Sequence, residues 1–220
     1  MPTGPPAPPS AATGSPRTAT RGTGASLVVG CVVGCALPAV WLLQRTATGD
    51  LGANPIEEAL NQSGLAALIL LIASLACTPL KLTAGWSWPI RLRKTLGLAA
   101  FFYASLHFFI YLGLDAQFDL ALILDVTQRP FTIAGFLAWL ALAPLALTSS
   151  RYWLRRLGYV KWKRLHRLAY LAGALGCTHF IWREKSAQES IVYAVVLGLL
   201  LSARFLGRKQ RRATSSAPSS

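Results

Sequence analysis

The chain has 220 residues, of which 53% are hydrophobic and only 14% charged, and its mean hydropathy of +0.44 implies more apolar surface than a water-soluble fold of this size can bury. Its 22 Lys and Arg against 8 Asp and Glu give a net charge of +14, which in a soluble protein would suggest a nucleic-acid partner. Here the basic residues lie between apolar runs instead of along one polar face, which excludes that reading.

Residues 1–24 are Pro, Ala, Thr, Gly and Ser with two arginines, a composition that predicts a disordered cytoplasmic tail. Apolar runs follow at about residues 26–43, 63–80, 95–114, 131–147, 165–182 and 190–206. Each approaches the roughly 17 to 25 residues that a helix rising about 1.5 Å per residue needs to cross the hydrocarbon core. The first run resembles a signal peptide in position, but a long Pro-rich tail precedes it and no small-residue cleavage site follows, so it counts as a membrane helix. The expected architecture is all-α: an integral membrane bundle of about six transmembrane helices over residues 25–207, then a basic and polar cytoplasmic tail over 208–220.

Charge sets the orientation, because Lys and Arg in short loops stay on the cytoplasmic side. One alternating set of segments holds only Arg45, Arg129, Arg183 and Lys185, together with all 8 acidic residues; every other basic residue lies in the other set. Both termini are therefore expected in the cytoplasm, with the basic charge explained by topology and by contact with anionic membrane lipid. No acid falls inside a run, which disfavours a proton-coupled transporter. The four cysteines, Cys31, Cys35, Cys77 and Cys177, lie in apolar stretches without a CxxC or CxxCH spacing and read as small core residues.

The chemistry is carried by three histidines, His107 on the third run and His166 and His179 on the fifth. An imidazole in hydrocarbon is costly unless paired or ligated; a single one is most simply explained by a hydrogen bond to a neighbouring helix. Depth favours ligation. Counted from the cytoplasmic ends of their runs, His107 lies about 18 Å and His179 about 21 Å along the axis. Two imidazoles at one depth suit a six-coordinate haem b, whereas zinc would want further ligands that this level does not offer. Ala100, Ala104, Ala172 and Gly176 below the two histidines are expected to leave room for a flat ligand, and Tyr103, Tyr111 and Trp182 are candidates to line it.

His166 stands apart, roughly 20 Å from His179 along the helix. It is a candidate to ligate a second haem with a non-histidine partner, to hold a propionate, or to contact a flavin or quinol. Trp162 and Tyr170 bracket it at one-turn spacing. Arg151, Arg155, Arg156, Lys161, Lys163, Arg164 and Arg167 form a cationic rim that either binds propionate or phosphate or simply fixes topology.

Several short motifs in order carry a family resemblance: Leu51 to Pro55 (LGANP), Thr78 to Leu80 (TPL), Leu96 to Leu98 (LGL) leading to Leu106 and His107, Arg129 to Phe131 (RPF) with Gly135, Leu145 to Ser149 (LALTS), Leu157 and Gly158 with Trp162, Leu165, His166 and Tyr170, and His179 with Trp182. Over roughly residues 40–207 the chain resembles the haem-binding membrane subunits of bacterial periplasmic protein-methionine-sulfoxide reductase systems, the MsrQ family, within the ferric-reductase-like transmembrane superfamily. The resemblance implies that His107, His166 and His179 are haem-associated and that the cofactors are haem b and FMN. It implies a multi-pass protein of the bacterial inner membrane, drawing electrons from the quinol pool or a cytosolic flavin reductase. The implied acceptor is a periplasmic molybdopterin-containing reductase that repairs methionine sulfoxide in oxidised envelope proteins.

Superfamily members often carry two histidines on each ligand helix, where the third helix here has one. Only a short polar tail follows the sixth run, without room for a nicotinamide and flavin domain. The chain is thus expected to be an electron-transfer subunit and not the catalytic one. The alternatives are a ferric-reductase-like cytochrome with another acceptor and a non-redox membrane scaffold with structural histidines.

Overall fold

The computed structural model describes residues 19–183 and 191–203, which form helices joined by short turns and loops, with no strand among them. Helix α1 spans Ala19–Thr48, α2 Pro55–Thr83 and α3 Pro89–Ile110, the last prolonged by a π turn over Tyr111–Asp115. Then come the short α4 (Leu120–Thr127), α5 (Pro130–Leu147), α6 (Arg151–Leu165), α7 (Leu168–Arg183) and α8 (Ile191–Ala203).

Local chemistry fixes these starts. Pro55, Pro89 and Pro130 each open a helix, where a fixed φ helps and the missing N–H costs nothing. Asn54 caps α2 by accepting from the Glu57 N–H at 3.3 Å, with Glu57 and Glu58 placed at the positive end of the helix dipole. Asp119 and Ser150 cap α4 and α6 in the same way.

Four helices form a closed ring: α2 packs along α3, α3 meets α5, α5 packs along α7, and α7 returns to α2. Their shared core holds Leu71 and Leu75 of α2, Ala100 of α3, Leu142 and Leu145 of α5 and Ala172 of α7, with Leu197 of α8 against it. Helix α1 lies outside the ring on α2 and α3. It contains Pro38, and beside that residue the Tyr103 hydroxyl of α3 is inserted into the helix ladder. The hydroxyl accepts from the Ala39 N–H at 2.8 Å and donates to the Cys35 carbonyl at 2.7 Å. The outward faces carry exposed Val33, Leu37, Phe102, Phe109, Phe136 and Leu140, a surface made for lipid. The chain is an α-helical, multi-pass membrane protein.

Gly24–Thr48, Pro55–Thr83, Pro89–Asp115 and Pro130–Leu147 are long and apolar enough to cross a membrane. Six such runs were expected. The fifth, over 165–182, is shortened because the chain turns at His166 and Arg167: the His166 N–H donates to the Trp162 carbonyl, and the Arg167 N–H to the Arg164 carbonyl. The helix therefore restarts at Leu168 and has 16 residues. The sixth, expected over 190–206, is described as a helix over Ile191–Ala203. Residues 19–24, expected within the N-terminal tail, are helical. The remainder of that tail and the tail over 208–220 lie outside the described residues.

The basic stretch after α5 is a helix and not an extended loop. Ser150 caps it, and Gly158, at φ 74 and ψ 153, breaks it into two pieces in a backbone region open essentially to glycine alone. All four cysteines are free, with Cys77 and Cys177 buried.

Candidate functional site

His107 comes from α3 and His179 from α7, helices diagonal to one another in the ring, and their ring centroids stand 6.0 Å apart with planes at 82°. Each imidazole is tied to a helix of the other diagonal pair. His107 Nδ1 is 2.9 Å from the Leu60 carbonyl of α2, and His179 Nδ1 is 2.6 Å from the Phe131 carbonyl of α5. A carbonyl only accepts, so Nδ1 carries the proton in both rings and donates it. That leaves Nε2 as the lone-pair nitrogen on each neutral imidazole, with no hydrogen bond among the described residues.

This is the arrangement a metal-binding histidine needs: one nitrogen oriented by a backbone acceptor, the other offered to the ion. The separation fits as well. Two metal–imidazole bonds of about 2 Å, with roughly 1 Å from each nitrogen to its ring centre, span about 6 Å. Among the described residues no group of three or more His, Cys, Asp and Glu could hold a metal ion, so the donor set is a two-imidazole set. A haem iron, whose other four ligands come from the macrocycle, matches it.

Both imidazoles rest against glycines. A Cβ on Gly64 of α2 would lie 3.0 Å from His107 Nδ1, and one on Gly135 of α5 would lie 2.7 Å from His179 Nδ1. Polar groups gather at the end of the pair nearer the C-termini of α3 and α7. Arg183, one turn beyond His179, donates to Asn61 Oδ1 of α2. The hydroxyls of Tyr111, one turn beyond His107, and of Thr132, next to Phe131, are buried and lack a partner among the described residues. Buried hydroxyls left without a partner are groups that the polar atoms of a ligand could satisfy. Between α3 and α5, Phe108 stacks on Trp139 at 4.8 Å, and Trp139 donates its indole N–H to Ser105 at 3.0 Å.

The sequence-derived candidates divide accordingly. His107 and His179 are brought together. His166 is placed elsewhere, at the α6–α7 junction, its ring 3.9 Å from that of Trp162 and its Nδ1 3.1 Å from the Trp162 carbonyl. Near it in sequence, Tyr159, Val160, Lys163, Arg164 and Arg167 line a cavity of about 300 Å³. Ala100 and Ala172, expected to leave room for a flat ligand, are fully buried in helix–helix contacts, and Gly176 faces a Leu68 methyl at 3.7 Å. They are there because close helix packing needs small residues. Tyr103, expected as a lining residue, commits its hydroxyl to α1. Sequence reasoning missed the Leu60 and Phe131 carbonyls, Gly64 as a seat, and the Asn61–Arg183 bridge. The one available signal was a glycine in each of the two helices that face the histidines.

Comparison with known proteins gives the class first. Residues 63–177 match the family described as ferric reductase like transmembrane component, a stretch that includes His107 and His166 and stops just short of His179. Closer relatives cover nearly the whole chain. It is 49% identical over 190 residues to the protein-methionine-sulfoxide reductase heme-binding subunit MsrQ of Deinococcus radiodurans, covering 86% of this chain and 92% of that protein. The Rhodospirillum rubrum protein of the same name is 46% identical over 189 residues, covering 85% and 91%. That of Herminiimonas arsenicoxydans is 41% identical over 185 residues, covering 82% and 85%. The chain belongs to the MsrQ family of ferric-reductase-like transmembrane proteins.

Proposed function

We propose that the chain is a haem b electron-transfer subunit, with His107 and His179 as the two axial ligands. The observation that carries this reading is the pair of imidazoles 6.0 Å apart, each with Nδ1 donated to a backbone carbonyl and Nε2 available. Haem, when bound, supplies a one-electron ferric–ferrous couple. The chain's own residues do the rest: Leu60 and Phe131 orient the rings, and Arg183, Tyr111 and Thr132 offer hydrogen bonds to carboxylates. The lipid-facing helices exclude water.

The distribution of Lys and Arg supports cytoplasmic termini, so that α3 and α7 run outward and the histidine pair sits in the outer half of the membrane. With α7 and α8 counted as spans, the bundle has six. This orientation suits delivery to a periplasmic acceptor, in this reading the molybdopterin-containing methionine sulfoxide reductase that repairs oxidised envelope proteins. The donor is the quinol pool or a cytosolic flavin reductase, and the location is the bacterial inner membrane. His166 also keeps Nε2 available, which supports a second redox group on the cytoplasmic side. FMN belongs to the same reading, with Lys163, Arg164 and Arg167 as the groups suited to its phosphate.

The test is spectroscopic. Protein purified in detergent from cells supplied with haem should give b-type bands in the reduced-minus-oxidised spectrum. His107→Ala and His179→Ala should each abolish the outer haem, and His166→Ala should spare it. A colourless wild-type protein, or bis-imidazole haem retained by either of the first two variants, would refute the assignment.

A further inference from the structure

The glycines behind the two histidines stand in one geometric relation on two unrelated helices. In α2 the accepting carbonyl is Leu60 and the glycine is Gly64; in α5 they are Phe131 and Gly135. Each glycine is the fourth residue after its carbonyl, the position whose N–H donates the helical bond to that carbonyl and whose Cβ would overhang its second lone pair. With hydrogen in place of Cβ, that lone pair is open to a side chain from the neighbouring helix.

We infer that Gly64 and Gly135 are positioning residues: they expose the Leu60 and Phe131 carbonyls so that each fixes the tautomer and plane of one ligand imidazole, and they thereby keep the reduction potential of the bound haem low. The inference rests on the haem assignment to His107 and His179.

Close helix packing alone does not account for these two positions. Gly173 and Gly176 pack against leucine methyls at 3.2 and 3.7 Å, and Gly30 and Gly34 have nothing within 4 Å. At Gly64 and Gly135 the nearest atoms are imidazole atoms in every case. The ring planes stand at 82° because each is set by a carbonyl on a different helix. An imidazole that donates Nδ1–H to a carbonyl is a more basic ligand and favours ferric over ferrous iron. Pushing the ring off its carbonyl therefore raises the potential.

The two seats differ in tightness, which grades the expectation. At Gly64 an added Cβ would meet the ring at 3.0, 3.1 and 3.7 Å, a crowding that small shifts relieve. At Gly135 the distances are 2.7, 2.9 and 3.1 Å, and the ring must leave its place.

The experiment uses the full-length protein in detergent, as wild type, Gly64→Ala, Gly135→Ala and, as a packing control, Gly173→Ala. Haem content, midpoint potential and the low-spin ferric electron paramagnetic resonance spectrum are measured, the last because its g anisotropy reports the angle between imidazole planes. Gly64→Ala should retain haem, shift the potential upward and change the g anisotropy. Gly135→Ala should weaken haem binding about 10- to 100-fold, the usual effect of losing such a partner. Gly173→Ala should leave potential and spectrum unchanged.

Wild-type potential and g anisotropy in both seat variants at full haem content would overturn the inference while leaving the ligand assignment intact. A wild type that binds no haem b would instead remove the assignment itself. Should the seat variants fail to fold, pulsed electron paramagnetic resonance on wild-type protein labelled with 15N-histidine decides. Hydrogen-bonded protons on both remote ring nitrogens uphold the inference, and an N–H free of any hydrogen bond on either overturns it.

Discussion

Tyr103 offers the clearest measurement of how α1 is held to the ring. Its hydroxyl replaces one rung of the α1 ladder, standing between the Ala39 N–H and the Cys35 carbonyl, and the side chain is only 1% exposed. Tyr103→Phe removes that bridge without changing ring packing. It strands one backbone donor and one acceptor away from water, at about 1–3 kcal/mol for each group left unpaired. Two effects pull the sum down: α1 can partly reclose its own bond, and membrane hydrogen bonds average nearer 0.6 kcal/mol in measured cycles. The net expectation is a loss of about 1–3 kcal/mol. The assay is reversible unfolding in mixed micelles of increasing SDS content, followed by tryptophan fluorescence. The haem spectrum should remain that of wild type, because the hydroxyl is directed at α1 and not at the imidazoles. An unchanged unfolding midpoint would refute the bridge as a stabilising element, and loss of haem at unchanged stability would show that Tyr103 serves the site instead.

Three other expectations follow from the same geometry. Arg183→Gln removes a cation one helical turn beyond His179, and positive charge favours the ferrous state, so the midpoint potential should fall; a rise or no shift in a redox titration would contradict the placement. A cysteine replacing Ala53, in the α1–α2 loop, should react with an impermeant maleimide from the periplasmic side, whereas one replacing Ser87 should react only after permeabilisation; the reverse pattern inverts the topology. Depleting haem should expose backbone amides on the α3–α5 and α2–α7 faces to hydrogen exchange more than those between α2 and α3, and a uniform increase would argue against a ligand that bridges the two halves.

What the sequence made legible follows the physics of each signal. The apolar runs that became α2, α3 and α5 were readable because lipid demands length and hydropathy, and Pro55, Pro89 and Pro130 mark where those helices begin. Helix α6 was not readable as a helix. Its basic residues answer to topology as well as to helix propensity, and the Ser150 cap is a weak cue beside the break at Gly158. The meeting of His107 with His179 was readable from depth, since rise per residue is fixed in any helix. Their seats were not, because a backbone carbonyl has no residue signature and Leu60 or Phe131 would serve as well under another name. The small residues below the pair misled for a related reason: alanine and glycine serve helix packing and ligand clearance alike, and only neighbours such as Leu68 and Leu75 distinguish them.

The way each histidine is seated shapes the whole bundle. His107 of α3 docks on α2 and His179 of α7 docks on α5, and these are the two most extensive contacts among helices α1 to α7. Each half of the site is therefore complete within one packed helix pair, its ring oriented by that pair's own carbonyl. The contacts that join the halves, α3 to α5 and α2 to α7, are slighter, and the second is reinforced by Arg183 reaching Asn61. A group ligated by both imidazoles would act where the ring is least extensively packed, and its binding energy would be added to the association of the two halves. Ligand geometry and bundle assembly would then depend on the same two hydrogen bonds, so a change at either seat should disturb both.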